Sequence, residues 1–164
     1  ATAEGDLVVA DTGNHRLVVM APDGAVRRII GARGGEAGQL KYPRGVAVDG
    51  ALVYVADSFN NRLQQFELAT GKHLGGCGST GTGDGQLKFP VGLTIASLGG
   101  EKRLYVADGK NHRVCAFGLD LQFLFAFGVK GGGPGEFLHP CSVVAHGGEL
   151  LVAEGGNHRV QKSD

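Results

Sequence analysis

Four short phrases hold most of the side chains in this sequence that could do chemistry, at one fixed spacing. They read VADTGNHRL from Val9, VADSFNNRL from Val55, VADGKNHRV from Val106 and VAEGGNHRV from Val152. Each sets a carboxylate first (Asp11, Asp57, Asp108, Glu154) and an amide three residues later (Asn14, Asn60, Asn111, Asn157). A guanidinium follows five residues after the carboxylate (Arg16, Arg62, Arg113, Arg159). A carboxylate and a guanidinium at the two stems of one loop can pair and also bond backbone groups. These twelve residues therefore read as structural loop clamps, with the asparagines taking left-handed turn geometry. The repeated His15, His112 and His158 could in principle ring an axis and hold a metal. Asn61 interrupts that ring, so no metal site is expected.

Other reactive arrangements are missing from the sequence. There is no Gly-x-Ser-x-Gly, His-Glu-x-x-His, Walker loop or dinucleotide fingerprint. The glycine-rich stretches at 78–85 and 131–135 lack the spacing and the following helix of a phosphate cradle. No catalytic residue and no cofactor is expected. Candidate binding residues are instead those that differ between copies at equivalent loop positions. Arg44 shares its slot with Val91 and Cys141, while Phe59 and Lys110 stand at the tips of the repeated loops. Phe59 is the most suggestive, because an aromatic at a loop tip is costly to expose without a purpose.

The elements that must position these residues follow from the period. Asn14 to Asn60 is 46 residues, Asn60 to Asn111 is 51 and Asn111 to Asn157 is 46. That length suits about four short strands per repeat, a propeller blade rather than a helix pair. Continuously apolar runs such as Leu104-Tyr105-Val106-Ala107 imply strands buried on both faces. The second blade reads as strands at 45–49, 52–57 and 62–66, with a weaker fourth near Lys72–Gly75. Phe123, Phe125 and Phe127 should share one face by the two-residue period. A second phrase separates the blades: GARGGEAGQLKYPRG, GSTGTGDGQLKFPVG and GVKGGGPGEFLHPCS. It supplies a glycine-rich crossing loop, an apolar plug (Leu40, Leu87, Phe137) and a proline before the innermost strand. The expected units are a partial blade at 7–31, blades at 45–78 and 92–128, and a partial blade at 142–162.

Sixteen basic and sixteen acidic residues cancel, which removes any global electrostatic case for nucleic acid or an anionic membrane. No apolar run approaches the ~20 residues of a membrane-spanning helix. The 30 glycines fall mostly between apolar runs, where turns need positive φ. Cys77, Cys115 and Cys141 are odd in number and scattered, which argues against a disulfide framework or zinc cage. A reducing, intracellular and cytoplasmic setting is expected.

Together the two phrases resemble the NHL repeat family, through the Asn-His-Arg triplet after Val-Ala-Asp and the glycine-rich loop ending in Pro-x-Gly-Val-Ala-Val-Asp. The resemblance covers about residues 7–161, departing at Asn61, Glu154 and Ser142. It implies an all-β fold of four-stranded antiparallel blades, usually six to a propeller. About three and a half blades are expected here, with three, four, four and three strands. A fragment or subunit of a larger assembly is therefore expected, its ring completed by a protein partner or a second copy. The resemblance further implies a non-catalytic protein-interaction or scaffold module. One alternative is an RNA-binding propeller face using Arg44, Lys110, His15 and Phe59. Another is a metal-dependent lyase-like enzyme, which the scattered cysteines fit poorly.

Overall fold

The computed structural model describes Thr2 and residues 5–163. The first sheet holds β1 (Leu7–Asp11), β2 (Arg16–Met20) and β3 (Val26–Ile30). The second holds β4 (Pro43–Asp49), β5 (Leu52–Asp57), β6 (Arg62–Glu67) and β7 (His73–Cys77). The third holds β8 (Pro90–Ser97), β9 (Lys102–Asp108), β10 (Arg113–Phe117) and β11 (Phe123–Phe127). A short parallel pair, β12 (Val129–Lys130) and β13 (Glu136–Phe137), closes the loop before the fourth sheet. That sheet is β14 (Pro140–His146), β15 (Glu149–Glu154) and β16 (Arg159–Ser163). All four are antiparallel meanders in chain order. The two earlier crossing loops make the same parallel contact as single bridges, Arg33 with Leu40 and Thr80 with Leu87. The fourth strand of the second blade lies at His73–Cys77, shifted outward from the expected Lys72–Gly75.

Strand periodicity explains why the second strands are apolar throughout. On β5, Val53 and Val55 face the first blade with Leu17, Val19 and Ile30, while Tyr54 and Ala56 face the third with Leu93, Leu104 and Phe117. A blade between two neighbours has no solvent face, so both residue sets must be apolar. The end blades show the contrast. On β15, Leu150 and Val152 are buried but Leu151 is only half-buried, and Val144 and Val160 on the flanking strands are exposed. Leu40, Leu87 and Phe137 each sit fully buried in a gap between blades. Burying such a side chain contributes about 1.5–3 kcal/mol, so each crossing loop helps hold two sheets together.

The innermost strands β4, β8 and β14 lie side by side around the axis and approach closely. A Cβ on Gly45 would come within 2.3 Å of the Val91 carbonyl oxygen, and one on Gly92 within 2.7 Å of Ser142 Cα. Glycine is required wherever the next inner strand presses in. Ser142 holds the same slot in the last inner strand, where it is exposed.

The three phenylalanines of β11 do not share a face. Phe117 pairs with Phe123 but Ala116 pairs with Phe125, so Leu124 forms a bulge. An extra residue flips the side-chain order beyond it. Phe123 consequently packs toward the second blade against Phe117, and Phe127 toward the fourth against Phe137.

Candidate functional site

Each repeated phrase folds into one compact loop. The second strand ends at the carboxylate, and the third strand starts at the arginine; between them three residues make a 3-10 turn in the first three copies, while the fourth copy makes an ordinary turn over 155–158. Arg Nε donates to the carboxylate at 2.8 Å in Arg16–Asp11 and Arg62–Asp57, 2.9 Å in Arg113–Asp108 and 2.7 Å in Arg159–Glu154. Asn Nδ2 donates to the same carboxylate in all four copies. In the last three blades the clamp reaches further. The N–H groups of Lys41, Lys88 and Leu138 donate to Asp57, Asp108 and Glu154 at 2.6, 2.7 and 2.8 Å. The outer guanidinium nitrogens donate to crossing-loop carbonyls, as Arg113 does to Thr82, Gly83 and Gln86. Burial by itself would raise the Glu154 pKa. Hydrogen bonds from Arg159, the Leu138 N–H, Gln161 and Asn157 outweigh it and hold the group at about 2. Every member of the clamp is thus engaged by protein.

The left-handed residue of the loop is not the asparagine, whose side chain is taken by the carboxylate. It is the next residue: His15, Asn61, His112 and His158 have φ of 59°, 53°, 56° and 52°. His15 Nδ1 accepts the Tyr42 N–H at 3.0 Å, and His112 Nδ1 accepts that of His139 at 3.1 Å. Asn61 Oδ1 accepts the Phe89 N–H at 2.8 Å. An imidazole nitrogen and an amide oxygen fill one acceptor role, which explains why Asn61 can stand among histidines. The residues so held, Tyr42, Phe89 and His139, are themselves left-handed, with φ of 49°, 58° and 50°. A non-glycine residue in that region costs of order 1–3 kcal/mol and persists only when its surroundings enforce it. Each precedes the proline that opens an inner strand.

This locking builds an aromatic row across one face of the blades. His15 meets Tyr42 at 4.3 Å between ring centroids, Tyr42 meets Phe59 at 4.6 Å, and Phe59 meets Phe89 at 5.3 Å. Arg44 Cζ stands 5.0 Å from the Phe89 centroid and Lys110 Nζ 5.3 Å. The three candidate residues Arg44, Phe59 and Lys110, from two blades and far apart in sequence, therefore converge on one ring. Phe59 remains 46% exposed. Beside it runs a groove of about 210 Å³ lined in part by Thr80, Lys88, Phe89 and Lys110. Phe89, Tyr42 and Lys88 were not singled out from the sequence. The available signal was the slot before each crossing-loop proline, which holds Tyr42, Phe89 and His139 in turn. One blade further on, His112 and His139 form a separate pair, 4.6 Å between ring centroids. Burial, then the charges of His139 and Lys130, lowers the His112 pKa.

The face is positively biased although the chain is neutral. Apart from the paired clamps, its crossing loops and turn tips carry Arg33, Lys41, Arg44, Lys88, Lys110 and Lys130 against Glu36, Asp84 and Glu136. Among the described residues no ion pair uses Arg44, Lys88 or Lys110; those present engage Arg16, Arg27, Arg62, Lys102, Arg113, Arg159 and Lys162.

The NHL repeat family model matches residues 40–66, which span the first crossing-loop proline (Pro43), β4, β5, the clamp loop and most of β6. Protein brain tumor of Drosophila melanogaster is 30% identical over 131 residues, covering 78% of this chain and 12% of that protein. Human NHL repeat-containing protein 2 is 29% identical over 135 residues, covering 70% of this chain and 19% of that protein. The chain thus spans less than a fifth of the length of these two relatives. An auxiliary nutrient binding protein from Bacteroides thetaiotaomicron superposes with a TM-score of 0.74 at 14% identity, over 98% of this chain and 45% of that one. Virginiamycin B lyase from Staphylococcus aureus superposes with a TM-score of 0.65 at 15% identity, over 99% and 53%. At such identities these likenesses speak for the fold alone. Repeated clamp, matched repeat and blade geometry agree: the chain is a set of NHL repeats folded as the blades of a β-propeller.

Proposed function

We propose that this chain is a non-catalytic docking module that engages a partner protein through the aromatic row on its clamp-bearing face. The observation that supports this most directly is the convergence of Arg44 and Lys110 on the Phe89 ring beside the half-exposed Phe59. Two unpaired cations around an aromatic surface suit a segment offering carboxylates next to an apolar side chain. Cation–π contacts at exposed sites contribute about 0.5–1 kcal/mol each, and a central aromatic anchor about 2 kcal/mol or more. The acid, amide and guanidinium groups of the repeated phrases are consumed by the clamps. We further propose that the chain works as part of a larger ring, since it covers about half of the propeller chains it superposes on. Its three cysteines are free, which suits a reducing compartment such as the cytoplasm.

A second reading, single-stranded RNA on the same face, is favoured by the same union of cations and stackable rings. Fluorescence anisotropy with two labelled probes separates them: an acidic peptide carrying one aromatic residue, and a uridine-rich RNA 12-mer. The docking reading expects peptide binding that weakens at least about 10-fold in Phe59→Ala and in the Arg44→Ala/Lys110→Ala pair. RNA binding with a steep salt dependence and no peptide binding would favour the second reading. Probe binding that none of these substitutions changes would sink both.

A further inference from the structure

Around the groove beside Phe59, two residues depart from their counterparts in the neighbouring gaps, and the two touch each other. The crossing-loop residue that bridges to the apolar plug is Arg33 opposite Leu40 and Lys130 opposite Phe137, but Thr80 opposite Leu87. The left-handed residue facing that loop is His15 in the gap before and His112 in the gap after, but Asn61 here. In those flanking gaps the imidazole lies against the ring that precedes the proline, 4.3 Å from Tyr42 and 4.6 Å from His139 between centroids. Asn61 keeps the acceptor role without the ring. A shorter amide and a shorter hydroxyl thus replace an imidazole and a long cation, and both line the groove of about 210 Å³ with Phe59, Lys88, Phe89 and Lys110.

The polar groups of this groove are donors. The Phe89 N–H can only donate, so Asn61 turns Oδ1 to it at 2.8 Å and offers Nδ2 to Thr80. Asn61 Nδ2 donates to Thr80 Oγ1 at 2.9 Å, which leaves the hydroxyl proton and the second amide hydrogen without an acceptor among the described residues. Ser58, also at the groove, is buried with its hydroxyl donating to the Pro90 carbonyl. Among the described residues neither Lys88 nor Lys110 enters an ion pair, and none of those lining the groove is acidic. Four donors, two of them cationic, suit a dianion with three acceptor oxygens better than a carboxylate with two. Phe59 and Phe89 already meet edge-on at 5.3 Å, so the space between them admits no further ring.

We infer that this groove is the subsite for a phosphoserine or phosphothreonine side chain on the docked partner segment, its phosphate taken by Lys88, Lys110, Thr80 Oγ1 and Asn61 Nδ2. The inference rests on the docking reading above and adds to it a preference for a phosphate at one position. The segment's aromatic residue stays outside the groove, on the exposed side of Phe59.

Fluorescence anisotropy on the whole chain tests this with the acidic aromatic peptide in three forms, carrying phosphoserine, serine or glutamate at one position. The phosphoserine form should bind about 10-fold or more tightly than the serine form, and at least about 3-fold more tightly than the glutamate form. Asn61→His restores the imidazole of the flanking gaps and keeps an acceptor for the Phe89 N–H. It should erase the phosphoserine preference while the serine form still binds and the melting temperature holds. Thr80→Val, at an exposed residue, removes one donor at constant shape and should cut the preference roughly 2- to 10-fold. Equal binding of all three forms, still sensitive to Phe59→Ala, would overturn the subsite and leave docking standing; binding of none would overturn both. A glutamate form as tight as the phosphoserine form would overturn the phosphate assignment, as would a preference that survives both substitutions. Loss of binding to the uridine-rich RNA 12-mer in Asn61→His, with no peptide bound by wild type, would give the groove to a nucleic-acid phosphate instead.

Discussion

Replacing Arg113 by methionine isolates what a clamp contributes. The substitution keeps an apolar stem in the gap but removes the ion pair to Asp108 and three donors to the crossing loop. Asp108 is 0% exposed, so its charge stays buried beside Asn111, the Lys88 N–H and the weakly donating Cys115 thiol, with no cation to balance it. Removing one partner of a buried, hydrogen-bonded pair costs about 3–5 kcal/mol. For a chain of this size each kcal/mol moves the melting temperature by about 2–4 °C, so a fall of roughly 6–20 °C is expected by calorimetry. Arg16→Met is the internal control. Its pair with Asp11 has side chains 37% and 26% exposed, and among the described residues its guanidinium donates to no crossing-loop carbonyl. It should shift the melting temperature by at most about 2–4 °C. Adding Asp108→Asn to Arg113→Met removes the stranded charge and should recover about 1 kcal/mol or more. Equal losses at Arg16 and Arg113, or no recovery in the double variant, would refute the reasoning that burial and loop bonding, rather than the motif itself, give the clamp its strength.

Three further outcomes follow from the same geometry. Glu154 is held at about 2 against an ordinary 4.5, so its stabilisation is present above pH 4.5 and is lost as pH falls through 2; denaturant melts over that window should lose it in wild type but not in Glu154→Gln. At most about 3 kcal/mol rides on that group, less whatever solvent screens. The His112 pKa is lowered, so the folded state favours the neutral ring and stability should decline as pH falls below 6.5; His112→Asn keeps an acceptor for the His139 N–H, as Asn61 does for Phe89, and should flatten that part of the melting-temperature profile. Gly92→Ala drives a Cβ against Ser142 Cα and the Cys141 carbonyl oxygen, and should cost about 1–3 kcal/mol in chemical denaturation, whereas Ser142→Ala should be nearly neutral.

Much of the architecture was legible because a propeller repeats its solution. The 46- and 51-residue spacings, the doubly apolar strands and the plug leucines each reflect a requirement that recurs in every gap. Legibility failed where one residue's choice depends on a partner far along the chain. Nothing local marks Leu124 as a bulge, since the flip of Phe125 and Phe127 toward the fourth blade arises from pairing with β10. Assigning left-handed geometry to the asparagines followed their intrinsic tolerance, but the buried carboxylate claims their side chains and passes that geometry to the next residue. Tyr42 and Phe89 read as ordinary residues before proline. Only the acceptor offered by the preceding blade's loop turns them onto the surface.

The sequence by itself determined the blade, because strand period, turn glycines and the Asp–Asn–Arg spacing act within about fifty residues and need no knowledge of the neighbouring blade. The tertiary structure decided the face. Arg44 and Phe59 belong to one blade, and Phe89 and Lys110 to the next. They meet because the inner strands approach to glycine contact and each left-handed loop anchors the entry of the following blade. Contacts between blades are set by how sheets pack, and packing distance is a property of three dimensions that no spacing along the chain encodes.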